Sequence, residues 1–291
     1  MVLLHAAAQV ARALGFERLP VAAKKYLKSR DPNLYREPPG PRRALGAECF
    51  APVSRERSIR ELDQPAGDFW EHWRGVPGGH KWLHYFAAYE ELLAPFRARP
   101  IRLLEIGVYR GASLATWRKN LHPQSVIVGV DIDPTCRDFD NPAQQVHVRI
   151  GSQADGAFLA EVANEFGPFD VIIDDGSHVC SHMIASFGYL FLPALADTGI
   201  YIAEDTHTNF FPAYRDQPYS FIDLCKDLVD LTHAHYALQP AEIDYRVDHA
   251  LQVPALEVSR LSAQIREIRF RDSIIAIQKQ PVGRLPGSVH N

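Results

Sequence analysis

Leu103-Leu104-Glu105-Ile106-Gly107-Val108-Tyr109-Arg110-Gly111 is an apolar run that closes on an acid and passes through two glycines into Ala112-Ser113-Leu114. Such a run predicts a buried strand, a tight turn at its carboxyl end and a helix, the first unit of a parallel sheet. The alternation continues downstream. Strands are expected at Ile101 to Ile106, Ser125 to Val130, Val146 to Ile150, Phe169 to Ile173 and Gly199 to Ala203, with helices near 112–120, 156–166 and 181–194. Upstream, Trp82, Tyr85, Phe86, Tyr89, Leu92, Leu93 and Phe96 recur at helical spacing and predict one apolar helix face. A helical segment at Phe221 to Tyr236 follows the strands, and Glu267 to Arg271 with Ser273 to Gln278 reads as an antiparallel hairpin. The fold class is α/β: a doubly wound, Rossmann-like, mostly parallel seven-stranded sheet with a C-terminal antiparallel hairpin.

The chain has 291 residues, 46% apolar and 23% charged, enough for one full core with decoration. Its 31 basic and 35 acidic side chains are interspersed and sum to a charge of -4, so no positive field exists to hold nucleic acid. Cys49, Cys136, Cys180 and Cys225 lack metal-ligand or redox spacing and fit free thiols in a reducing compartment. The Ala-rich start lacks the basic leader and cleavage site of a secretory signal, and no stretch reaches the roughly 18 to 20 apolar residues of a membrane span. A cytoplasmic protein is expected. Residues 1–67 are read as an N-terminal helix and a Pro- and Arg-rich arm, with a homo-oligomer contact open for the helix; residues 68–281 are read as the functional domain and 282–291 as a tail.

Glu105 at the first turn repels phosphate, and Tyr109 stands where a dinucleotide site wants its middle glycine. The acid instead suits the amino group of S-adenosylmethionine, with Gly107 and Gly111 letting backbone approach the ligand and Ser113 opening the helix behind them. Val128-Gly-Val-Asp-Ile-Asp133 supplies an acid at the end of the second strand for a ribose diol; Asp131 is the first choice and Asp133 the other. Gly151-Ser-Gln-Ala-Asp155 would bring Gln153 and Asp155 to the adenine edge, or form a solvated loop.

Phe169-Asp-Val-Ile-Ile-Asp-Asp-Gly-Ser-His178 and Ile200-Tyr-Ile-Ala-Glu-Asp-Thr-His207 each end a strand in two acids. Asp174, Asp175, Glu204 and Asp205 are expected to converge, with Asp174 on the cofactor side. Carboxylates that close repel unless a cation sits among them, and oxygen ligands favour Mg²⁺. His178 then falls within reach of a metal-bound hydroxyl as general base. Helix caps and loop hydrogen bonds explain one such pair but two adjacent pairs poorly. Trp70, Trp73 and Trp82 read as core in preference to substrate platforms, and His80, Lys81 and His84 as the polar cover of a helix.

The segment Glu105-Ile-Gly-Val-Tyr-Arg-Gly111 resembles the first motif of catechol-type metal-dependent O-methyltransferases. Ile173-Asp-Asp-Gly-Ser-His178, Ala203-Glu-Asp-Thr-His207 and His80-Lys-Trp-x-His-Tyr85 are more similar to the bacterial sugar O-methyltransferases of the mycinamicin type, over Phe69 to Gln278. The resemblance implies Mg²⁺ held by Asp175, Glu204 and Asp205, His178 as base, and a sugar or other vicinal diol as acceptor, with 209–262 capping it. Catechol-type relatives have a lysine base and an Asp-Asn pair, so His178 and Glu204 side with the sugar branch. Other expectations are a hydroxylase-like or non-sugar O-methyltransferase on this scaffold, and a non-catalytic S-adenosylmethionine-binding partner.

Overall fold

The computed structural model describes Cys49, residues 65–234 and residues 257–281. The readings placed on the N-terminal helix, most of the arm, the middle of 209–262 and the tail lie outside the described residues.

Seven strands form one sheet in the order β3-β2-β1-β4-β5-β7-β6. They are β1 (Arg102–Ile106), β2 (Val126–Asp131), β3 (Val146–Ile150), β4 (Phe169–Asp174), β5 (Leu195–Ala203), β6 (Ile265–Arg271) and β7 (Ile274–Lys279). The first five pair in parallel, and β7 runs antiparallel to both β5 and β6. The doubly wound sheet with its closing hairpin is the one expected. The chain winds outward through β2 and β3 and then crosses back to β4, so the winding reverses between β1 and β4. Ligands bind at the carboxyl ends of strands at such a switch.

The helices are α1 (Asp68–Trp73), α2 (Tyr85–Leu93), α3 (Ala112–Asn120), α4 (Gly156–Phe166), α5 (Cys180–Leu190) and α6 (Phe221–Thr232). Side chains alternate across a strand, so each strand serves both cores. Leu103, Ile173 and Ile202 face one layer with Phe86, Tyr89 and Trp117, while Leu104, Ile172 and Tyr201 face the other with Met183, Phe187 and Phe221. Each fully buried side chain of this size contributes about 1.5–3 kcal/mol. Among the described residues, no helix is long and apolar enough to cross a membrane.

Three boundaries differ from expectation. β5 begins at Leu195, ahead of Gly199. α5 ends at Leu190, and a turn leads directly into β5. Trp82 precedes α2, because His84 caps that helix, and its side chain is 45% exposed. Its reading as core is corrected, whereas Trp70 and Trp73 pack against the core as expected.

Candidate active site

The turn after β1 is built by its glycines and by Asp131. Gly107 has φ +97°, and a Cβ there would fall 2.1 Å from the carbonyl oxygen of Asp175, so only glycine lets these two turns touch. Asp131 Oδ2 accepts the N–H groups of Val108 and Tyr109, both at 2.9 Å, and its Oδ1 accepts that of Asp133 at 2.9 Å. The residue expected at a ribose thus also shapes the turn. Asp133 caps the following 3₁₀ turn through Thr135. Tyr109 takes a left-handed φ of +53°, which turns its ring outward, and Gly111 (φ +71°) packs on the ring of Phe139.

Glu105 is fully buried, and its Oε2 accepts a 2.7 Å hydrogen bond from Ser113. Its Oε1 is buried without a partner. Burial pushes this carboxyl up to about 8 against the pull of Lys81 and Ser113. A buried acceptor in want of a donor fits a cationic or N–H-bearing ligand group.

Strand parity decides which acids meet. Glu105, Asp175 and Glu204 share the parity of Leu103, Ile173 and Ile202, and so approach the α2 side of the sheet. Backbone pairing continues past the strand ends, Asp175 N–H to Ile106 O and Glu204 N–H to Asp174 O, both at 2.9 Å. Asp174 has the opposite parity. Its carboxylate accepts from Gln153 at 3.1 Å, Ser186 at 2.5 Å and Tyr201 at 2.8 Å, all beneath α5. Three acids converge with Glu105, and the expected fourth, Asp174, does not. Gln153 also accepts from Ser177 N–H at 2.6 Å, and Asp155 caps α4. Both residues tie loops together in this structure.

A residue the sequence reading set on a polar helix face occupies the centre. Lys81 Nζ donates to Asp175 Oδ2 and to Glu204 Oε2 at 2.5 Å each, with its side chain 4% exposed. Tyr89 donates to the other oxygen of Glu204 at 2.6 Å. Burial alone would lower the lysine's pKa; the carboxylates of Asp175, Glu204 and Glu105 outweigh it and hold the charge. Burial likewise pushes Asp175 and Glu204 up, and Lys81 opposes it. Lys81 lies ahead of α2, four residues before Tyr85, so helical spacing did not mark it in the sequence.

Asp205 follows with φ +53°, and Tyr85 and Ser273 lie against it. His178, also left-handed at φ +57°, points Nε2 to 3.5 Å from Asp205 Oδ2 and 3.9 Å from Asp175 Oδ1. Burial raises Asp205, but His178, Tyr85 and His207 outweigh it and hold that carboxyl below the usual range.

Ligand atoms of Asp175, His178 and Asp205 lie within 4.8 Å of one another, a spacing that fits one cation. The donor set expected from sequence had Glu204 in place of His178. Glu204 adjoins the trio, but both of its oxygens already accept hydrogen bonds, from Tyr89 and Lys81. Two oxygens and one imidazole suit a hard or borderline divalent ion.

Residues 104–206 match a family described as a methyltransferase domain. The chain is 35% identical over 223 residues to the 8-demethyl-8-alpha-L-rhamnosyl tetracenomycin-C 2'-O-methyltransferase of Streptomyces olivaceus, covering 71% of this chain and 54% of that protein. It is 38% identical over 206 residues to that organism's 8-demethyl-8-(2-methoxy-alpha-L-rhamnosyl)-tetracenomycin-C 3'-O-methyltransferase, covering 66% of this chain and 49% of that protein. Among solved structures, the MycE methyltransferase of the mycinamycin pathway, in complex with Mg, SAH and mycinamycin VI, superposes with a TM-score of 0.60 at 25% identity over 76% of this chain and 55% of that one. The chain spans about half the length of the curated relatives it matches. By these matches the chain is similar to the class I S-adenosylmethionine-dependent O-methyltransferases of the mycinamicin type.

Proposed function

We propose that this protein transfers a methyl group from S-adenosylmethionine to a hydroxyl of a sugar-bearing small molecule, with a divalent metal at the acidic strand ends. The observation that carries the reading is the contact of Gly107 with the Asp175 carbonyl, which sets the Glu105 turn directly against the acid cluster. A donor held by the first turn and an acceptor held by the acids would then meet across one backbone contact.

Glu105 Oε1, buried and unpartnered, would accept from the donor's ammonium group while Ser113 fixes Oε2. Asp131 would hold the ribose and at the same time shape the Gly107 turn. Asp175 and Asp205 would hold the metal, with Glu204 adjoining them. Mg²⁺ bound there would lower the pKa of the substrate hydroxyl and orient it. His178 Nε2, directed at the same space, would take the hydroxyl proton, and the carboxylate of Asp205 3.5 Å away would stabilise the imidazolium. Lys81 keeps Asp175 and Glu204 in place beneath the site.

The relatives whose names specify rhamnosyl acceptors support a glycoside substrate. Incubation with methyl-labelled S-adenosylmethionine, Mg²⁺ and methyl α-L-rhamnopyranoside tests the reading. Label should pass to the sugar, and EDTA should stop it. Failure of S-adenosylmethionine to bind would sink the methyltransferase reading, and transfer that survives EDTA would sink the metal.

A further inference from the structure

The turn Asp175-Gly176-Ser177-His178 carries one acid of the cluster and the imidazole that faces it. His178 sits there at φ +57°, a region that residues other than glycine seldom adopt. An imidazole that works through one ring nitrogen is ordinarily aimed by a hydrogen bond at the other. His178 Nδ1 is buried and has no hydrogen-bond partner among the described residues. The direction of Nε2 towards Asp175 and Asp205 therefore comes from the backbone of the turn, and whatever fixes that backbone aims the ring.

Two side chains fasten the turn, one from the loop after β3 and one from α5. The Gln153 amide packs on Gly176, where a Cβ would fall 2.2 Å from its Oε1. That oxygen accepts the N–H of Ser177, the residue ahead of His178, at 2.6 Å. Gln153 Nε2 donates to Asp174 Oδ1 at 3.1 Å, and Asp174 is held in turn by Ser186 and Tyr201 through Oδ2. Ser177 is caught a second time, its hydroxyl lying 2.9 Å from His182 Nδ1 in α5. Gln153 and Asp174 are both buried, so water offers these bonds little competition.

Resting on the metal and base roles proposed above, we propose that Gln153 is a positioning residue for Asp175 and His178, in place of the adenine contact expected from the sequence. Asp174 anchors Gln153, and Gln153 holds the turn that presents the carboxylate and the imidazole to one cation. The role depends on the sense of two hydrogen bonds, accepted from Ser177 and donated to Asp174. Gln153→Met keeps the reach of the side chain and removes both. Gln153→Glu keeps the acceptor but turns a second carboxylate on Asp174. Adding Asp174→Asn restores the pair with its sense reversed, since the new amide donates to the glutamate while its carbonyl accepts from Ser186 and Tyr201.

The test uses the full chain, titrated with Mn²⁺ under electron paramagnetic resonance and with S-adenosylhomocysteine by calorimetry, with near-UV circular dichroism as the check on folding. Gln153→Met should weaken Mn²⁺ by about 10–100-fold and leave S-adenosylhomocysteine affinity unchanged. Exchange of the Ser177 amide should quicken by about tenfold in the same variant. Gln153→Glu should weaken Mn²⁺ as well, and the double variant should recover most of that loss, which a side chain that merely fills space would not do. The comparison of Gln153→Glu with the double variant decides the matter even where Gln153→Met does not fold. Mn²⁺ bound equally by the wild type and Gln153→Met, or no better by the double variant than by Gln153→Glu, overturns this proposal alone. A fall in S-adenosylhomocysteine affinity with Mn²⁺ affinity kept also overturns it and returns Gln153 to the cofactor. A wild-type chain that binds no Mn²⁺ overturns it together with the metal reading.

Discussion

The hydroxyl of Tyr85 holds Asp205 at two points, donating to its Oδ1 at 2.6 Å and accepting its backbone N–H at 3.1 Å. Ser273, in the turn between β6 and β7, joins through its own hydroxyl at 2.9 Å from the same phenol oxygen. A left-handed aspartate is thereby fixed from α2 and from the hairpin at once. Tyr85→Phe removes both bonds and should cost about 1–3 kcal/mol of stability, read by urea unfolding, because a part-buried carboxylate oxygen loses its donor. Mn²⁺ affinity, followed by electron paramagnetic resonance, should fall with it. A variant that binds Mn²⁺ like the wild type would remove Tyr85 from the support of the site.

Among the described residues, Lys81 is the one cation bonded to both Asp175 and Glu204. Lys81→Met leaves the buried Glu204 and the part-buried Asp175 without their shared donor and should cost about 3–5 kcal/mol. Adding Glu204→Gln should recover part of that loss, since one uncompensated charge goes with it. If the double variant is no more stable than the single one in chemical denaturation, the charge argument fails.

Glu105 gives a pH dependence of definite sign. Burial holds its carboxyl near 8, so the free protein keeps that proton through neutral pH. An ammonium-bearing ligand favours the ionised form, and binding therefore expels the proton. S-adenosylhomocysteine affinity should rise with pH from about 6.5 to about 8 and then level off, with close to one proton released at neutral pH. Calorimetry in buffers of different ionisation enthalpy counts that proton, and Glu105→Gln should abolish both effects. Affinity that stays flat with pH in the wild type would separate Glu105 from the donor's amino group.

His178 can serve as proton acceptor or as third ligand, and one substitution separates the roles. As acceptor, His178→Ala should lower turnover by about 10²–10⁴-fold with metal affinity nearly intact. As ligand, the same change should lower Mn²⁺ affinity together with turnover. Asp175→Asn should reduce metal affinity in either case while donor affinity holds.

The strands and the doubly wound class were legible because short apolar runs alternate with helical spacing from Ile101 to Ala203. The paired acids were legible too, but their direction was not. Asp174 and Asp175 are adjacent in sequence, and one step along a strand end sends one to Ser186 and Tyr201 and the other to Lys81. Recognising that required the parity of Ile172 and Ile173 to be carried to the end of the strand. Lys81 escaped because a lysine ahead of a helix ordinarily faces solvent, and no periodic pattern marked it as inward. Trp82 escaped for the converse reason. Aromatic composition predicts burial, but the helix begins three residues later and leaves the indole outside the packed face.

Because no side chain intervenes between Gly107 and the Asp175 carbonyl, main-chain atoms alone set how closely the turn after β1 stands against the turn after β4. Side chains around the two turns can then be exchanged without changing the distance between them. On the proposed reading, acceptor preference and the spacing of donor and acceptor turns would be separable properties of this scaffold. Gly107 is the position at which they would again be joined, since any larger residue there displaces both turns together.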